Sequence, residues 1–106
     1  MKEWLKRFLT WLSKLLLLDD YEEVRKVHYV KCETEFFNDV IEDYKTFELR
    51  KNDRDYRPGD DMVLREYDKE LGELTGREER VSIVYMLDDY PGIEEGYCIL
   101  GIERYF

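Results

Sequence analysis

Alanine and glutamine are absent from this 106-residue chain, and it has only two cysteines, one histidine and two prolines. The first two absences bear on codon usage more than on physics. The scarcity of Cys and His is more informative: Cys32, Cys98 and His28 form no CxxC or HExxH pattern, so a structural zinc site is not expected. No metal and no cofactor are expected. The cysteines read as reduced thiols packed in apolar strands, with a single disulfide as the alternative. No catalytic Cys–His pair is evident from their spacing. Uninterrupted apolar runs are also lacking: none approaches the ~20 residues that a spanning helix requires. Positive charge is in deficit, with 17 Lys and Arg against 26 Asp and Glu and a net charge of -9. That balance disfavours a coat protein for long duplex DNA, because a negative surface repels phosphate, yet it leaves room for a small basic site. A cytoplasmic location is expected.

What is present fits one small domain with an added segment. Apolar residues make up 43% and charged residues 41%, too apolar for disorder and too charged for repeated membrane crossing. Over residues 1–18, Trp4, Leu5, Phe8, Leu9, Trp11, Leu12, Leu15 and Leu16 recur at helical spacing, giving a wide apolar face. Lys2, Lys6, Arg7 and Lys14 occupy the other positions with Glu3 as the one acid, so this segment carries +3 and the rest of the chain -12. A secretory signal is not expected, since Lys14 interrupts the leucines and Asp19-Asp20 follows where small residues would precede cleavage. Three readings stay open for Trp4, Phe8, Trp11, Leu12 and Leu15: packing on their own domain, docking to a protein partner or a second copy, and lying on an anionic membrane surface. An acidic linker follows at 19–23. The expected division is therefore 1–24, amphipathic helix and linker, and 25–106, the domain.

The domain reads as strands joined mostly by turns. Residues 27–32 alternate and are β-rich. Thr34 is placed as an N-cap for a short helix carrying Phe36, Phe37, Val40, Ile41 and Tyr44. Residues 46–51 alternate again, and Arg57-Pro58-Gly59-Asp60 is a strong turn signal. Residues 62–67, 80–87 and 97–104 complete the set, with loops expected over 68–76 and 88–96. The order β-α-β-β-β-β predicts an α+β fold, a small, mostly antiparallel barrel with one internal helix and the extra N-terminal helix.

Lys45-Thr46-Phe47-Glu48-Leu49-Arg50 fits the K-x-x-E-x-R signature of ASCH domains, which resemble PUA domains. The longer string through Lys51-Asn52-Asp53-Arg54, then Pro58-Gly59-Asp60, and the tail from Glu95 to Ile102 resemble a phage-associated branch known only as a domain of unknown function. The resemblance covers residues 27–106. It implies a PUA-like barrel whose cleft binds RNA, a nucleotide or a modified base. Some superfamily members remove an acyl group from a modified cytidine with a lysine, a threonine and a glutamate. Lysine carries over onto Lys45; the threonine position, three residues later, holds Glu48, and Asp43 replaces the usual glycine.

On a strand, Thr46, Glu48 and Arg50 share one face and Lys45, Phe47 and Leu49 the other. Phe47 and Leu49 are expected to face the core, with Glu48 and Arg50 on the outer face or in a cleft. Residues 45–57 hold five cations, Lys45, Arg50, Lys51, Arg54 and Arg57, against three acids, Glu48, Asp53 and Asp55. The expected ligand residues are Lys45, Glu48, Arg50, Lys51, Asn52 and Arg54, with Tyr44, Tyr56 and Tyr67 as stacking surfaces. Lys45 and Glu48 are the candidates for any catalysis, and Asp88, Asp89, Glu94 and Glu95 form a loop that could overhang the cleft as acids or bases. The functional readings, in order, are a binding module for RNA, a nucleotide or a modified base, then an interaction protein using its N-terminal helix, then an amidohydrolase.

Overall fold

In a computed structural model, which describes residues 2–15 and 25–105, seven elements follow one another along the chain. They are α1 (Glu3–Leu15), β1 (Val27–Glu33), α2 (Thr34–Ile41), β2 (Phe47–Lys51), β3 (Asp61–Asp68), β4 (Glu73–Asp88) and β5 (Tyr97–Arg104). The acidic stretch at 19–23 and the expected boundary at residue 24 lie outside the described residues. No described helix is long and apolar enough to cross a membrane.

The five strands form one sheet in the order β1-β3-β4-β5-β2. The β1–β3 pair is parallel and the others are antiparallel, so the sheet is mixed. It curls into a half-barrel. β4 is the long spine, and its register slips between Ile83 and Tyr85 where it crosses β5. Such a bulge bends a strand and increases its twist. Opposite it sits Gly101, where an added Cβ would come within 3.1 Å of the Tyr85 Cβ, so a side chain there would require Tyr85 to give by a few tenths of an ångström at the bend. β4 begins at Glu73, earlier than the expected residue 80, because its first turn of pairing with β3 reaches Tyr67 and Asp68.

The concave face is read directly from alternation. β1 buries His28, Val30 and Cys32, and β5 buries Cys98, Leu100 and Ile102. Met62 and Leu64 of β3, with Val81 and Ile83 of β4, join them, and α2 adds Phe37 and Val40. The cap of α2 is Glu33, one residue before the expected Thr34, and no side-chain hydrogen bond caps it. Both cysteines are free and buried.

Two acids, Glu66 and Asp61, are buried with arginine partners. Glu66 takes Arg77 Nε and Nη2 on its two oxygens, each at 2.8 Å, and also accepts from Thr75. Asp61 accepts from Arg80 Nε at 2.8 Å and from the Tyr105 hydroxyl at 2.5 Å. A buried carboxylate is tolerable only when paired and hydrogen-bonded in this way.

Two tests follow from this packing. Phe37→Ala empties the α2 contact with the sheet and is expected to cost about 3–5 kcal/mol in denaturant unfolding, whereas Phe36→Ala on the exposed side of the same helix should change stability by about 0.5 kcal/mol or less. The hydrogen bonds of Arg77, then Thr75, pull the Glu66 carboxyl down to about 2. Its contribution is therefore full above about 4.5 and is lost as the pH falls towards about 2. Glu66→Gln should lower the urea midpoint at pH 7 and flatten the decline in stability between those two pH values.

Candidate functional site

β1 and β2 are the two terminal strands, and curling brings their edges face to face without pairing them. A terminal strand leaves half of its carbonyls without a ladder partner. Here arginines from β2 and the chain after it reach across. Arg50 Nη2 donates to the Lys31 carbonyl at 2.6 Å, and Arg54 Nη1 donates to the Tyr29 carbonyl at 3.0 Å. Two guanidiniums thus close the seam where backbone hydrogen bonds would close a full barrel.

Arg50 is itself held from behind. Glu48 is 3% exposed and accepts from Arg50 Nε at 2.9 Å. Its other oxygen accepts from the Lys45 ammonium, which also donates to the Phe47 carbonyl at 2.6 Å. The sequence expectation for this strand is inverted by the structure: Phe47 and Leu49 lie on the exposed face, 48% and 60% exposed, and Glu48 points inward with Arg50 beside it. The reason is electrostatic. One carboxylate between two cations is satisfied inside, and β2 lies at the edge of the half-barrel, where the outer face is left uncovered. Lys45 and Glu48 satisfy each other, and together they position Arg50. Burial and then the charge of Glu48 push the nearby Cys32 thiol up to about 11, so it is held as the neutral thiol.

The seam opens outward into a cleft of about 430 Å³ lined by Tyr29, Lys31, Arg50, Lys51, Arg54 and Arg65, among others. This volume lies within the range of about 300–1,000 Å³ usual for small-ligand sites. Five of the lining residues are cations and one, Asp53, is an acid, and Arg65 also donates to Glu78 at 3.1 Å. Tyr56 is buried in the cleft floor, and Tyr29 stands exposed at its rim. Behind Tyr56 the His28 ring packs edge-on at 4.8 Å and pairs with the buried Asp60 at 2.9 Å, which fixes the floor.

Two larger hollows differ in charge. One, of about 630 Å³ between α1 and residues 52–58, mixes Lys6, Arg7 and Arg57 with Glu3, Asp55 and Asp88. The other, of about 620 Å³, is lined by Asp88, Asp89 and Glu95. Those loop acids therefore border a separate hollow and do not line the seam cleft. Of the expected ligand residues, Lys45, Glu48 and Arg50 are brought together, and Lys51 and Arg54 line the cleft with Arg50. Asn52 does not line it: its side chain accepts from the Tyr56 amide at 3.3 Å, and it borders the other two hollows. Among the expected stacking residues, Tyr56 is in the cleft, Tyr67 lies under the Lys31 ammonium at 4.7 Å, and Tyr44 is 81% exposed elsewhere. Tyr29, Lys31 and Arg65 were not expected. Tyr29 and Lys31 are the outward residues of the alternating β1, and Lys31 sits opposite Arg65 on β3. Alternation marked two of them as outward, but nothing in the sequence set β1 beside β2.

Removing the central carboxylate tests this arrangement. Glu48→Ala leaves Lys45 and Arg50 facing one another without a counter-charge and should cost about 3 kcal/mol in urea unfolding. Asp53→Asn, on the exposed rim, should cost about 0.5 kcal/mol or less.

The comparison with known proteins covers this half-barrel. An uncharacterized 12.9 kDa protein in the GpA 3′ region of Escherichia phage P2 is 40% identical over 77 residues, covering 71% of this chain and 66% of that protein. The chain thus spans just under two thirds of that relative's length. The model of a domain of unknown function, DUF3850, matches residues 27–102, from the start of β1 to Ile102 in β5. The chain therefore belongs to the DUF3850 family and has a relative in a phage.

Proposed function

We propose that the protein is a small binding module whose seam cleft takes a nucleotide or a short stretch of single-stranded RNA. The observation that carries this reading is that Lys31, Arg50, Lys51, Arg54 and Arg65 line one concavity, a surplus of cations even after Asp53, the Glu48 behind Arg50 and the Glu78 paired with Arg65 are counted, in a chain of net charge -9. Guanidiniums fork onto phosphate oxygens, and Arg50 is held in place by Glu48 before any ligand arrives. Tyr29 supplies an exposed ring on which a base can stack. The resemblance of Lys45, Glu48 and Arg50 to the ASCH signature supports the same reading. The acidic remainder favours a ligand of a few phosphates over a long duplex, whose charge the rest of the surface would repel. The acyl-transfer reading ranks below it, because Glu48 is engaged by both Lys45 and Arg50.

Arg54 and Lys51 are the residues to change, since both are exposed and lie outside the core. Fluorescently labelled hexaribonucleotides and nucleoside monophosphates should bind the wild type, and Arg54→Ala should weaken binding about tenfold. The logarithmic salt dependence should fall by about 0.7 for each phosphate contact removed. Absence of binding by the wild type at millimolar ligand, or equal binding by Arg54→Ala and Lys51→Ala, would overturn the proposal.

A further inference from the structure

α1 carries Trp4, Phe8 and Trp11 at 65%, 49% and 58% exposure, with Leu9 also exposed. On a helix of 3.6 residues per turn, Trp4, Leu5, Phe8, Leu9, Trp11 and Leu12 fill one unbroken arc of roughly 160°. Glu3, Lys6, Arg7 and Thr10 lie on the opposite arc. A helix that completed its own domain's core would turn the apolar arc inward. α1 does the reverse: the hollow between it and the domain is bordered on the helix side by Glu3, Lys6, Arg7, Thr10 and Trp11. The domain thus sits on the polar side of α1, with Trp11 at the edge of the arc beside the hollow and Trp4, Phe8 and Leu9 turned outward. The helix also lies outside residues 27–102, the part matched by the family.

We propose that α1 is an in-plane membrane helix that docks the protein on an anionic lipid surface. Charge complementarity selects this occupant. The segment has Lys2, Lys6, Arg7 and Lys14 against Glu3 alone, while the rest of the chain is at -12. Cations flanking a wide apolar arc attract anionic headgroups, and tryptophan favours the boundary between headgroup and acyl chain. A second copy would bring the same cationic flanks against one another, which opposes pairing of two α1 helices. With the domain on the polar side, the apolar arc can enter the headgroup region without any unfolding.

The chain contains two tryptophans, Trp4 and Trp11, so its tryptophan emission reports on α1 alone. The full chain is mixed with vesicles of phosphatidylcholine, or of phosphatidylcholine and phosphatidylglycerol in about equal parts. The expected result is a blue shift and co-sedimentation with the anionic vesicles only. Phe8→Glu should abolish both, and Lys6→Glu/Arg7→Glu should weaken binding at least about 30-fold, since each cation near the surface contributes a factor of several. Circular dichroism and urea unfolding should match the wild type in both variants, because these side chains lie outside the core. Wild-type emission unchanged by anionic vesicles would overturn the proposal. So would a concentration-dependent dimer in sedimentation, abolished by Phe8→Glu, without vesicle binding; that result would assign the face to a second copy. RNA binding at the seam is measured without vesicles, so either reading can fail alone.

Discussion

A single buried carboxylate organises the open side of this half-barrel. Glu48 sits between Lys45 and Arg50, and Arg50 reaches on to the carbonyl of Lys31 across the gap between the terminal strands. Without that chain of contacts the edge of β1 would present unpaired carbonyls to solvent, a template for pairing with another chain. A guanidinium can bridge the gap because it donates from several N–H groups in a fixed plane and is therefore able to bind Glu48 and Lys31 together. Arg54 repeats the device at Tyr29 with no buried partner behind it. The seam therefore has one rigid staple and one exposed staple, and the exposed one is better placed to exchange its protein contact for a ligand.

The same pairing logic explains how an acidic chain folds at all. Self-repulsion opposes compaction in a protein of net charge -9. Three of the acids are taken out of the surface field and matched with arginines: Glu48 with Arg50, Glu66 with Arg77, and Asp61 with Arg80. Arginines engaged in this way cannot also neutralise surface acids, so the exposed shell stays anionic. The cations that gather at the seam then stand out by contrast. Their effect on a ligand is local, because screening over about 8–10 Å separates them from the distant acids.

The legibility of the sequence follows from which forces are local. All five strands and α2 are readable because their signals are properties of short windows: β1 and most of β5 alternate, β3 is a short run buried on both faces, and α2 has helical spacing. The early start of β4 was not readable, since Glu73–Glu78 is an exposed ribbon with no apolar alternation. The orientation of β2 runs against its hydrophobic pattern for a definite reason. Hydrophobicity argued that Phe47 and Leu49 face inward, yet β2 is a terminal strand whose inner face is taken by an ion triad, so the burial of Glu48 depends on Lys45 and Arg50 together. The signature names Lys45, Glu48 and Arg50 as candidates, but strand alternation sets Lys45 on the other face; the three meet because Lys45 precedes β2 and its ammonium reaches Glu48. The cleft's other wall, Tyr29, Lys31 and Arg65, depends on strand order, which is a long-range property.

The two cationic features of the molecule share one physical principle and differ in how it is applied. At the seam, Arg50 is fixed by the buried Glu48, and Arg50 and Arg54 by backbone carbonyls, so part of the cost of ordering the cations is met in folding, which is what the proposed small anionic ligand would use. On α1, cations border an apolar arc that the domain leaves uncovered, which suits a broad, fluid anionic surface better than a shaped ligand. The helix and the cleft are separate in sequence, and the family match covers only the second. On the two proposals together, the half-barrel would hold a ligand while α1 sets where that happens. Neither feature needs the other in order to work: the cleft draws its geometry from the sheet edges, and α1 draws its amphipathicity from its own spacing.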